Sequence, residues 1–155
     1  LMFFPDRHKA LCGIHRALKA GGSLAVIVFS TADKNPFFSI PIATIRRRAQ
    51  LPPPLPGRPG PFSLGDPGML EAAYRQASFR NIQVQPLSAP LRLASAAECA
   101  RMERESFGAL HELLSGLNEA DRGAAWEEIE AALRRFEGSR GFEAPCEVLV
   151  GAGTK

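Results

Sequence analysis

The sequence is short of the features that usually announce a membrane, a metal or a nucleotide. No apolar run approaches the roughly 18 residues of a membrane span. The opening Leu1-Met2-Phe3-Phe4-Pro5 carries neither a basic leader nor a cleavage pattern, so a cytoplasmic location is expected. There are 3 cysteines and 3 histidines. Cys12, Cys99 and Cys146 are odd in number, far apart and without metal-ligand spacing, which excludes a disulfide framework and predicts reduced, partly buried thiols. His8 and His15 stand seven apart, with no third ligand near them, so no metal site is expected. His111 falls among leucines and reads as a half-buried residue.

Glycine-rich phosphate loops, a Gly-x-Ser-x-Gly elbow and a His-Glu-x-x-His pair are all absent. Gly151-Ala152-Gly153 has no helix after it and cannot cradle a phosphate. Charge is nearly balanced at +3, and its one basic cluster, Arg46-Arg47-Arg48, has no aromatic interleaving. That is the pattern of a solvated helical face and argues against a nucleic-acid partner.

What is present is a core. The chain has 155 residues, 45% apolar and 23% charged, enough for a single domain with one hydrophobic interior, residues 1–155. Its organising stretch runs from Leu18 to Ser30. Gly21 supplies the left-handed residue that ends a helix, and Lys19 complements the negative helix end. The unbroken apolar run Leu24–Phe29 predicts a strand covered on both faces, as in parallel sheets beneath helices. The fold class is therefore α/β.

Other elements follow from local signals. Asp6 caps a first helix with Leu11, Ile14 and Leu18 on one stripe, although Gly13 weakens it by about 1 kcal/mol. Phe37–Ile45 forms a short helix with Pro41 near its start. Leu51–Pro61 holds too many prolines for regular structure. Asp66-Pro67 opens a helix with Leu70, Ala73, Tyr74 and Ala77 inward. Ile82–Val84 alternates as a strand, kept short or bent by Pro86 and Pro90. One long helix spans about Ala97–Leu117, with Met102, Ala109, Leu110, Leu113, Leu114 and Leu117 inward. Asn118 caps another, with Trp126, Ile129, Leu133 and Phe136 at helical spacing. Glu127, Glu128 and Glu130 form its wet face, and Glu130 pairs with Arg134. Pro145–Gly151 ends the chain as a strand.

Three of these stretches, in order, resemble a known family. Phe3-Phe4-Pro5-Asp6 with Ala10-Leu11 and His15-Arg16-Ala17-Leu18-Lys19-Ala20-Gly21-Gly22, followed by Leu24–Ser30, is similar to the helix and fifth strand of class I S-adenosylmethionine-dependent methyltransferases. Met69–Ala77 with Ser78-Phe79-Arg80-Asn81-Ile82 is similar to the turn into that family's sixth strand, and Phe142–Gly151 to its seventh. The chain departs from the family at Ala20, which replaces a proline, and at Ser78, which replaces a left-handed glycine. The family's first four strands, with its glycine-rich loop and acidic ribose-binding residue, have no counterpart.

The resemblance implies the C-terminal half of a Rossmann-like methyltransferase fold. It would be a three-stranded sheet of the fifth, seventh and sixth strands, with flanking helices on opposite faces and an α-helical cap from about 31–65 and 95–138. It implies no cofactor for this chain alone, and S-adenosylmethionine if the missing half completes it. The implied substrate pocket takes Phe4, Asp6, Ser30, Asn35, Phe37, Phe38, Phe62 and Phe107, with a small-molecule ligand. No catalytic residue is assigned. Without its fourth-strand neighbour, the Leu24–Phe29 edge is expected to form a homodimer. The competing reading is a non-catalytic module that self-associates or binds a partner.

Overall fold

The computed structural model describes every residue except Pro54 and Pro56. Among the described residues the elements run α1 (Arg7–Ala17), β1 (Ser23–Phe29), α2 (Pro36–Arg48), α3 (Pro67–Gln76), β2 (Arg80–Ser88) and β3 (Leu91–Leu93). They continue with α4 (Ala96–Ser106), α5 (Gly108–Leu114), α6 (Glu119–Leu133), β4 (Glu137–Gly138), β5 (Gly141–Ala144) and β6 (Glu147–Thr154). The protein is mixed α/β, with two three-stranded antiparallel sheets. No helix among the described residues is long and apolar enough to cross a membrane.

Two compact units share the chain. The first comprises Leu1–Lys34, Leu55–Ala89 and Glu147–Lys155; the second comprises Asn35–Pro54 and Pro90–Cys146.

In the first unit the strand order is β1-β6-β2, with β6 antiparallel to both neighbours. The register sets Leu24 opposite Gly153, Val26 opposite Gly151 and Val28 opposite Leu149. These residues share one face. Upon it pack Leu11 of α1 and Leu70 and Tyr74 of α3, in a single cluster with Leu64, Ala77 and Phe79. Gly151 and Gly153 are what admit α3: a Cβ on either would come within 2.9 Å of a Leu70 or Tyr74 carbon. The Tyr74 ring lies over that bare strand, and its hydroxyl donates to the Gly151 carbonyl at 3.0 Å.

Two expectations are corrected here. The helices before β1 and β2 lie on the same face of the sheet, because both feed one core cluster and touch each other. Likewise β1 is not buried on both sides or paired in parallel. It is an outer strand bonded to β6 alone, and Ile27, on the face away from α1 and α3, is 65% exposed. The alternation was hidden in the sequence because Ala25, Ile27 and Phe29 on the second face are apolar too.

Caps follow the sequence. Asp6 accepts from the Lys9 amide at 2.8 Å, Asp66 from Met69 at 3.1 Å and Asn118 from Asp121 at 2.9 Å. Gly21 and Ser78 both take positive φ, +73° and +67°. The β2 strand is longer than expected and carries Pro86 in its interior, which an outer strand tolerates because one edge needs no donor. None of the described residues of Leu51–Pro61 lies in a helix or strand, and Pro54 and Pro56 fall outside the described residues.

The second unit packs α2, α4, α5 and α6 together beside the small sheet β3-β5-β4. The single helix expected over Ala97–Leu117 is broken at Phe107, whose φ of −108° and ψ of 87° leave the helical region, with the poor helix former Gly108 next. The expected closing strand is also divided. Pro145 separates β5, in the second unit's sheet, from β6, in the first. Of the α4–α5 stripe, Leu110 and Leu114 are buried, but Met102 is half-buried and its neighbour Glu103 takes the interior position.

Candidate functional site

At the carboxyl end of β1, Ser30 and Glu147 are joined by two hydrogen bonds. Ser30, 2% exposed, donates from its amide to the Glu147 carbonyl (3.0 Å) and from its hydroxyl to Glu147 Oε1 (2.8 Å). Gly65 closes over this point so tightly that a Cβ there would stand 2.6 Å from the Ser30 carbonyl oxygen. The segment bearing Gly65 is anchored from α1 and the amino terminus. Arg7 donates to the carbonyls of Ser63 (2.8 Å) and Gly57 (3.0 Å), and Ser63 Oγ donates to the Met2 carbonyl (3.0 Å). Phe62 thereby comes to lie with its ring centroid 6.4 Å from that of Phe29.

Phe4 is half exposed, and Asp6 is an N-cap whose carboxyl is held below its usual range chiefly by the Lys9 amide. Asp6 also borders an open depression of about 490 Å³ together with His8, Leu64 and Met69. Thus Phe4, Asp6, Ser30 and Phe62 belong to the first unit.

Asn35, Phe37, Phe38 and Phe107 belong to the second. Asn35 is fully buried at the start of α2 and bonds the Phe38 and Ser39 amides through its carbonyl, at 3.2 and 3.0 Å. Phe37 and Phe38 are buried with ring centroids 6.2 Å apart, and the Phe107 ring lies 4.3 Å from Phe38. Phe37 and Phe38 are interior packing, with the half-buried Phe107 ring against Phe38.

The Ser30 hydroxyl is committed to Glu147, and the Gly65 backbone occupies the space over Ser30. Among the described residues no group of three or more His, Cys, Asp or Glu is placed to hold a metal ion.

The sequence reading passed over one titratable group. Glu103 of α4 is 0% exposed, and neither carboxylate oxygen has a hydrogen-bond partner. Burial pushes its pKa up to about 8. Burial, with the Glu103 carboxyl adding to it, pushes the neighbouring Cys99 thiol to about 12. A signal existed: Ala96, Cys99, Ala100 and Glu103 recur at helical spacing, so the glutamate stands on the apolar stripe. By contrast, Glu128 is a solvated carboxylate held low by its bond from Arg48 at 2.8 Å, with Arg47 on its other oxygen.

Compared with protein-family models and with curated proteins, the chain matches none.

Proposed function

We propose that the chain is the substrate-side half of an S-adenosylmethionine-dependent methyltransferase, unable to bind the cofactor or turn over alone. The observation that carries this reading is the strand order β1-β6-β2, in which the last strand of the chain lies between two earlier ones. That is the side-by-side order of fifth, seventh and sixth strands that the resemblance implies. Left-handed Ser78, at the turn where the family uses glycine, is in keeping with it. When bound by a complete fold, S-adenosylmethionine would supply an activated methyl group, and the protein's part would be positioning the acceptor against it. From the first unit this chain would contribute a wall, Phe62 beside Phe29.

The test is calorimetry with S-adenosylmethionine and S-adenosylhomocysteine on this chain and on a chain extended through the upstream coding sequence. The reading expects binding only to the extended chain. Micromolar binding to this chain alone, or none to the extended one, overturns it.

The second reading, a non-catalytic self-associating module, is favoured by a different observation. The outer strand β1 contains neither proline nor lysine, and Ile27 and Leu87 of the first unit's outer strands are 65% and 54% exposed. Two copies joined along β1 about a two-fold axis would make a continuous six-stranded sheet. Light scattering decides it: a stable monomer at micromolar concentration removes this reading.

A further inference from the structure

A carboxylate with no hydrogen-bond partner is not kept ionised in an apolar interior; it keeps its proton instead. Glu103 meets that condition by geometry alone, since it is wholly buried and both its oxygens are unpaired among the described residues. Several charged groups of the elements packed on α4 are engaged elsewhere, and none bonds the Glu103 carboxyl: on α6, Arg122 bonds the Leu114 carbonyl and Glu130 pairs with Arg134. Arg47 and Arg48 of α2 pair with Glu128 of α6 at 2.8 Å for Arg48, and Arg92 of β3 pairs with Glu143 at 2.8 Å. His111 of α5 bonds the Arg104 carbonyl. On α4 itself the neighbouring titratable group is Cys99, whose thiol stays protonated until about pH 12. As placed, no side chain bonds the Glu103 carboxyl, so opening to water would solvate its ionised form.

The position of Glu103 decides what would open. Its own carbonyl accepts the Phe107 amide at 3.2 Å, the bond that joins α4 to the break before α5. Phe38, Leu110, Ile129 and Leu133 are buried in the second unit, whereas Ser30 is the one buried polar residue among the described residues of the first unit.

We propose that Glu103 is a protonation latch for the helical unit: protonated, it lets α4–α6 stay closed, and on ionising it releases them while the β1-β6-β2 sheet stays folded. The inference holds under either reading of function above. The direction follows from proton counting. With a pKa near 8 when closed and an ordinary value near 4.5 when open, the closed form holds a proton that the open form has shed. Closure is therefore favoured fully below about pH 4.5, weakens as pH rises, and levels off above about 8.

The experiment is amide hydrogen exchange on the whole chain at pH 6, 7 and 8, corrected for intrinsic rates. The opening constant of α4–α6 should rise about 50-fold from pH 6 to pH 8, with fluorescence of Trp126 on α6 as a second probe. Amides of β6 should change far less. Glu103→Gln removes the charge and should flatten the dependence; Glu103→Met does the same without a buried amide, should the glutamine variant fold poorly. A dependence as steep in both variants as in the natural chain overturns the latch. So does equal opening of β6 and α4–α6, which would mean global unfolding.

Discussion

Gly153→Ala adds one methyl group where the sheet meets α3, and its cost can be worked from the contacts. The new Cβ would stand 2.9 Å from Tyr74 Cδ1 and 3.2 Å from Phe79 Cβ. The ring cannot easily retreat. Its hydroxyl is tied to the Gly151 carbonyl at 3.0 Å, and Phe79 holds it edge-on with centroids 5.2 Å apart. Overpacking of this kind costs about 1–3 kcal/mol, with about 1 more if the hydroxyl bond is lost. Stiffening the unfolded chain offsets about 0.4–1 kcal/mol. The net loss should be about 1–3 kcal/mol. Gly151→Ala meets first the Leu70 Cδ2 methyl at 2.9 Å, the end of a side chain that can rotate, so its loss should be smaller. Urea unfolding followed by far-ultraviolet circular dichroism gives both values, and a Tyr74→Leu background should shrink the Gly153→Ala cost. Equal stability of Gly153→Ala and the natural chain, or a larger loss at Gly151, refutes the packing argument.

Two further outcomes are expected. Ser78→Gly should stabilise the chain by about 1 kcal/mol in the same urea assay, since Ser78 is exposed and sits at φ +67°, where a Cβ is a liability. Cys99, buried and with its thiol pushed up to about 12, should resist iodoacetamide at pH 8 in the native chain, while half-buried Cys12 labels first; mass mapping of the labelled sites checks this.

Some of this structure was legible residue by residue. Asp6, Asp66 and Asn118 cap their helices because a cap needs only a side-chain oxygen and an amide three residues on. Gly21 turns left-handed where a helix ends, again a matter of a few residues, whereas the left-handed turn at Ser78 was implied by the resemblance alone. The candidate site was less legible. The eight residues expected to share a pocket are divided equally between two units, and the fully buried Glu103 escaped notice because a glutamate on an amphipathic helix reads as solvated.

What the sequence determined by itself is thus local: where helices start, where they stop, and which turns must bend the wrong way. Those outcomes are decided by atoms a few bonds apart. Only the tertiary structure decided that Leu24–Phe29 is an outer, antiparallel strand, that α1 and α3 share one face, and that Pro145 sends β5 and β6 to different sheets. Strand partners and covered faces depend on residues over a hundred positions away, as Val28 opposite Leu149 shows, and an apolar run looks the same from one end of the chain whether its second face is covered or bare.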